Sequence, residues 1–96
     1  MTTYRWPEAH EVCAAARLVV TDDLEASGFE ILRSHGTSHV FGSETGLCVR
    51  VTATKAHVYV SPDRRPGYPV SELALHPPRA ALAFIYQLDH HLQETA

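Results

Sequence analysis

Histidine is over-represented in this chain. Seven occur in 96 residues, at His10, His35, His39, His57, His76, His90 and His91. Imidazole titrates near pH 6.5, so mild acidification would turn a chain of net charge −3 into a net cation. Scattered histidines read most simply as solvated surface. A histidine can also serve as a general base, and an arginine beside it can hold a phosphate as charge develops. His39 suits that work if Val40 pairs with Val49 in the core. The ladder then sets His39 opposite Arg50 on the outer sheet face, with Cys48 and Thr52 beside it. A slip of one residue turns His39 inward against the helices, and the plainer alternative is a histidine that decorates a hairpin.

Other residues extend that face. His57 and Tyr59 follow the same alternation, and Arg64, Arg65 and Tyr68 sit in the adjoining loop. Aromatics mixed with arginines can stack bases and hold phosphates. The same residues are favoured at protein interfaces, and the acidic charge total leans toward a protein partner. Asp89-His90-His91 invites a metal reading, but adjacent helical residues point about 100° apart and cannot comfortably grip one ion. No metal site and no cofactor are expected. Cys13 and Cys48 lack an identifiable base partner and have no C-x-x-C spacing. They read as free buried thiols, with one disulfide as the alternative. Gly-rich phosphate loops, paired catalytic carboxylates and Ser–His–Asp spacings are absent.

The elements that must position these residues follow from periodicity. Pro7 and Glu8 open a helix whose Val12, Ala15, Ala16 and Val19 recur at helical spacing as a core-facing stripe. The β-branched run Val19-Val20-Thr21 and then Asp22-Asp23 weaken it, so one kinked helix or two pieces ending at Gly28 are both open. From Phe29 the period becomes alternating. A strand from Phe29 to near Arg33, a turn at Ser34-His35-Gly36, and a strand from Ser38 to Phe41 precede the two-glycine loop Gly42–Gly46. Leu47 to Ala53 has the cleanest alternation, with Leu47, Val49, Val51 and Ala53 inward. A fourth candidate strand, Ala56 to Val60, points Val58 and Val60 inward. Five of the six prolines fall between Pro62 and Pro78, in a long Pro-rich loop holding a short helical turn from Val70 to Leu75. A last helix runs from about Arg79 to Gln93, with Ala81, Phe84, Ile85, Leu88 and Leu92 as its apolar stripe.

The sum is a single α+β domain over residues 1–96, a two-layer sandwich of order α-β-β-β-(β)-α. An antiparallel sheet of three to four strands is packed by N- and C-terminal helices. No apolar run approaches the roughly 20 residues needed to span a bilayer, mean hydropathy is −0.14, and Met1–His10 lacks a signal-peptide core. A cytoplasmic protein is expected. A pI near 6.1 argues against wrapping nucleic acid through a broad basic field, though a local basic patch is compatible with it.

Between Leu24 and Val51 the chain resembles the HicA toxins of bacterial toxin–antitoxin systems. The likeness rests on Gly28-Phe29, Arg33, Gly36-x-Ser38-His39-x-Phe41, and Gly46 with Val49 and Val51. It covers less than a third of the chain. The resemblance implies a fold like that of double-stranded-RNA-binding domains and an mRNA-cleaving activity restrained by an antitoxin protein. It makes His39 the counterpart of the family's catalytic histidine. HicA toxins are usually basic whereas this chain is acidic, and the apparent fourth strand, Pro-rich segment and long final helix have no clear counterpart. Two functions follow. One is a HicA-like RNA-binding or RNA-cleaving toxin, metal-independent, with His39 as base and Arg50 as cation, and with RNA or a cognate antitoxin-like protein as partner. The other is a non-enzymatic protein-binding module, a regulator or inhibitor, acting through the outer sheet face and the Pro-rich loop. Homodimerisation through an exposed sheet edge is open to both.

Overall fold

A computed structural model describes residues 9–61 and 71–94. Helix α1 spans Ala9–Ala26, and five strands follow: β1 (Glu30–His35), β2 (Ser38–Gly42), β3 (Leu47–Val51), β4 (Lys55–Val60) and β5 (Ser71–Ala74). Helix α2 spans Pro78–Glu94. The strands form one antiparallel sheet in the order β1-β2-β3-β4-β5, a meander with a helix at each end. This is the expected α+β two-layer arrangement, with one strand more than foreseen. Pro7, Glu8, Arg64, Arg65 and Tyr68 lie outside the described residues.

Helix α1 is one continuous piece. Burial of Val20 and Leu24, both at 0% exposure, outweighs the weak helix propensity of the β-branched run. Its end is a Schellman motif: Phe29 N–H donates to the Leu24 carbonyl at 3.0 Å and Gly28 N–H to that of Glu25 at 3.1 Å. Gly28 takes φ 95°, a left-handed conformation that glycine adopts without a side-chain clash. Leu24 and Phe29 then meet in the main core. The buried stripe is Ala16, Val20 and Leu24, whereas the expected Val19 is 48% exposed. In α2, likewise, Ala81, Leu82 and Ile85 are buried and Phe84 faces out. In both helices the choice between adjacent apolar residues is made by where the helix sits on the sheet.

The inner sheet face carries Phe41, Leu47, Val49, Val51, Ala56 and Val58 against the helices. Two strand-level expectations fail. Ala53 lies in the turn after β3 and is exposed, because Thr52 and Lys55 close a tight β3–β4 connection (Thr52 N–H to Lys55 carbonyl, 2.8 Å). Where a turn of helix is expected from Val70 to Leu75, Ser71–Ala74 form β5 instead, whose Leu73 pairs with Ala56 and packs against the core; Val70 lies outside the described residues. The Pro-rich segment is therefore not a loop throughout. It supplies an edge strand, a cis His76–Pro77 bond, and Pro78 as the first residue of α2. Proline suits that position because its missing N–H would have had no helical partner.

Candidate functional site

The β2 register decides the geometry. Val40 lies opposite Arg50, Phe41 opposite Val49, and His39 opposite Val51. Directly opposed residues of an antiparallel pair share a face. His39 therefore stands on the inner face with Phe41, their ring centroids 6.4 Å apart, and Arg50 stands on the outer one. The expected His39–Arg50 pair does not form, because the sheet separates the two side chains. The reason is apolar area: Phe41 hides more of it in the main core than Val40 would, and its burial fixes the register.

His39 has a different neighbour. Ser34 lies opposite it across the β1–β2 hairpin, and Ser34 Oγ is 2.8 Å from His39 Nδ1. His35 and Ser38 form the next pair, so Gly36-Thr37 closes a hairpin of two Ser–His pairs. The repeated Ser-His doublet around Gly36 is the sequence signal for this arrangement. With Nδ1 engaged, Nε2 is the ring nitrogen left for a proton-transfer role.

The outer face brings together four of the expected site residues. Cys48 pairs with Tyr59, and Arg50 with His57. A row crosses this face from edge to edge: Arg33 on β1, Val40 on β2, Arg50 on β3, His57 on β4 and Glu72 on β5. Arg33 reaches the row because the β1–β2 register shifts between Ile31 and Arg33, a bulge that re-aims β1. Nothing in the sequence announces that bulge, so Arg33 was not foreseen as a site residue.

Beneath the arginines lies a second, smaller core. Val40, Cys48 and Tyr59 are buried there, with Leu32 packed against them. Cys48 Sγ is 3.7 Å from the Gly46 carbonyl. Cys13 and Cys48 are not joined in a disulfide, and they sit on opposite sides of the sheet: Cys13 on α1 and Cys48 on the face opposite the described helices. Tyr59 is only 3% exposed, with Cys48 as its neighbour across the β3–β4 pair. Burial pushes its ionisation above the usual range, and Cys48 adds to this, while Arg33 and Arg50 pull the other way. His57 Nδ1 is buried and has no hydrogen-bond partner among the described residues.

Thr52 is absorbed by structure. Its hydroxyl donates to the Lys55 carbonyl at 3.1 Å and accepts from Lys55 N–H at 3.2 Å, closing the β3–β4 turn. At the β5 end of the face, the Lys55 ammonium pairs with Glu72 and holds that carboxyl below its ordinary range. On α2, Asp89 accepts hydrogen bonds from Ser43 and Thr45, and His90 pairs with Glu94 at 3.1 Å.

No family model, curated protein or solved structure matches this chain. The HicA likeness therefore rests on its residues alone.

Proposed function

We propose that the protein is a non-enzymatic binding module that engages a protein partner through the face of the sheet opposite the helices. The observation carrying this reading is the outer row itself: exposed Arg33 and Arg50 stand on either side of Val40, which packs with Cys48 and Tyr59 in a small buried cluster on the face opposite the helices. Arginine is enriched at protein interfaces. The RNA-cleaving alternative asks for His39 and a cation on one face, and here His39 meets Ser34 while Arg50 stands on the opposite face. The RNA-binding alternative asks for exposed rings on which bases stack, and Tyr59 is buried.

Two measurements test the reading together. Purified wild type and His39→Ala are incubated with single-stranded and structured RNA without metal, and neither is expected to cleave. In parallel, partner capture by wild type, Arg50→Glu and Leu18→Glu is compared at raised salt. Arg50→Glu should lose a defined protein that Leu18→Glu, altered on the helix layer, retains. RNA cleavage by wild type but not by His39→Ala would overturn the binding-module reading.

A further inference from the structure

The charges on the sheet face opposite the helices point to the chemistry of its partner. Among the described residues, Lys55 forms an ion pair with Glu72 and His90 lies beside Glu94, and neither contact uses Arg33 or Arg50. Both arginines are exposed, and both are close enough to Tyr59 to bias its ionisation. They stand two strands apart with Val40 between them, about 10 Å at the backbone. Their long side chains can close that gap to about 7 Å, the distance between alternate residues of an extended chain. Each guanidinium can take a carboxylate through two parallel hydrogen bonds. Tyr59 lies near both guanidiniums, and His57 stands beside Arg50 on the next strand.

We propose that the Arg33–Val40–Arg50 row docks a short acidic protein segment, its carboxylates seated on the two guanidiniums. This rests on the open-face reading above and names the class of partner. A nucleic acid strand carries a phosphate at every residue, whereas among the described residues this row offers two arginines outside any ion pair. A segment with two or three acidic side chains needs only the centre of the row. The whole chain is acidic as well, which opposes a long polyanion more than a short one.

The test uses the full chain and a fluorescently labelled hexaglutamate peptide at low ionic strength, followed by anisotropy and by backbone amide shifts. Shifts should centre on Arg33, Val40, Arg50 and His57. Arg33→Gln and Arg50→Gln should each weaken binding about tenfold, with fold retention checked by amide dispersion. Lys55→Gln, whose ammonium is already paired with Glu72, should stay within about twofold of wild type. The proposal is overturned if the arginine variants bind like wild type, or if oligouridylate of equal charge binds the same row more tightly. Suppose hexaglutamate leaves the face untouched while partner capture still depends on Arg50. The acidic class then fails and the open-face reading stands. If neither depends on the face, both fail.

Discussion

Tyr86 shows at the scale of one residue how polar contacts finish what apolar packing begins. Its ring packs against Phe29 at a centroid distance of 6.3 Å, and its hydroxyl meets the Asp23 carboxylate and lies 2.8 Å from Ser27 Oγ. One side chain of α2 thus holds the C-terminal end of α1. Burial and the Asp23 hydrogen bond push its ionisation up to about 12 from an ordinary value of 10.0. The sign of the linkage follows. Above pH 10 the unfolded chain releases a proton that the folded chain retains, so stability falls as pH rises from about 10 to about 12. Tyr86→Phe should cost about 1–2 kcal/mol at neutral pH, since it removes a hydrogen bond to a charged group. It should also remove this part of the alkaline loss. Urea unfolding of both proteins at pH 8 and pH 11 checks the two effects separately.

At the scale of elements, β1 is unlike the other strands. All its residues are exposed except Leu32, so the strand stands beyond the cover of the helices. Its bulge and its charged Glu30 and Arg33 are features that discourage edge-to-edge pairing. Leu32 leans over Gly42 of β2, and a Cβ built at Gly42 would lie 2.7 Å from Leu32 Cδ1. Gly42→Ala should therefore turn the Leu32 side chain away from the small outer core, at a cost of no more than about 1 kcal/mol because the atom displaced is a side-chain terminus. Thermal unfolding, with amide shifts at Cys48 and Tyr59, checks it; unchanged shifts there would show that Leu32 does not pack as described. Helix α1 carries a second apolar stripe besides the buried one. Val12, Ala15 and Val19 line a groove of about 360 Å³ against His76 and Pro78.

For the molecule as a whole, two layers must be held in one relation. The main core does most of this, through Val20, Leu24 and Ile85 on the helices and Phe41, Val49 and Val58 on the sheet. A polar clamp adds to it far along the chain. Asp89 of α2 accepts the hydroxyls of Ser43 and Thr45, each at 2.7 Å, and so fastens the β2–β3 loop to the helix layer. Ser43 is buried, so Asp89→Ala would remove the acceptor that its hydroxyl and that of Thr45 share, leaving the two hydroxyls only each other. We expect a loss of about 2 kcal/mol and faster amide exchange in the β2–β3 loop. An unchanged urea midpoint would show that water replaces the carboxylate without penalty. Ile31, Val60 and Phe84 remain exposed around the rim of this core.

The local elements were legible where one periodicity had no rival. The strict alternation of Leu47, Val49 and Val51 marked β3 and its inner face, and the run after Pro78 marked α2. Both patterns bury one set of side chains and expose the other, which the chain itself encodes. The register of β2 was not legible, because Val40 and Phe41 are adjacent apolar residues and each face of the sheet had a core to receive one. Only the larger inner core, completed by helices distant in sequence, sent Phe41 inward and carried His39 with it. The same competition exposed Val19 in favour of Val20 and Phe84 in favour of Ile85. β5 was masked by prolines, and only its pairing with β4 gave those four residues a strand's hydrogen bonds. The sequence determined the elements and the two-layer class through local period. The tertiary structure decided which face each side chain occupies, since burial is a property of the assembled layers, and with it that Arg33 rather than His39 shares a face with Arg50.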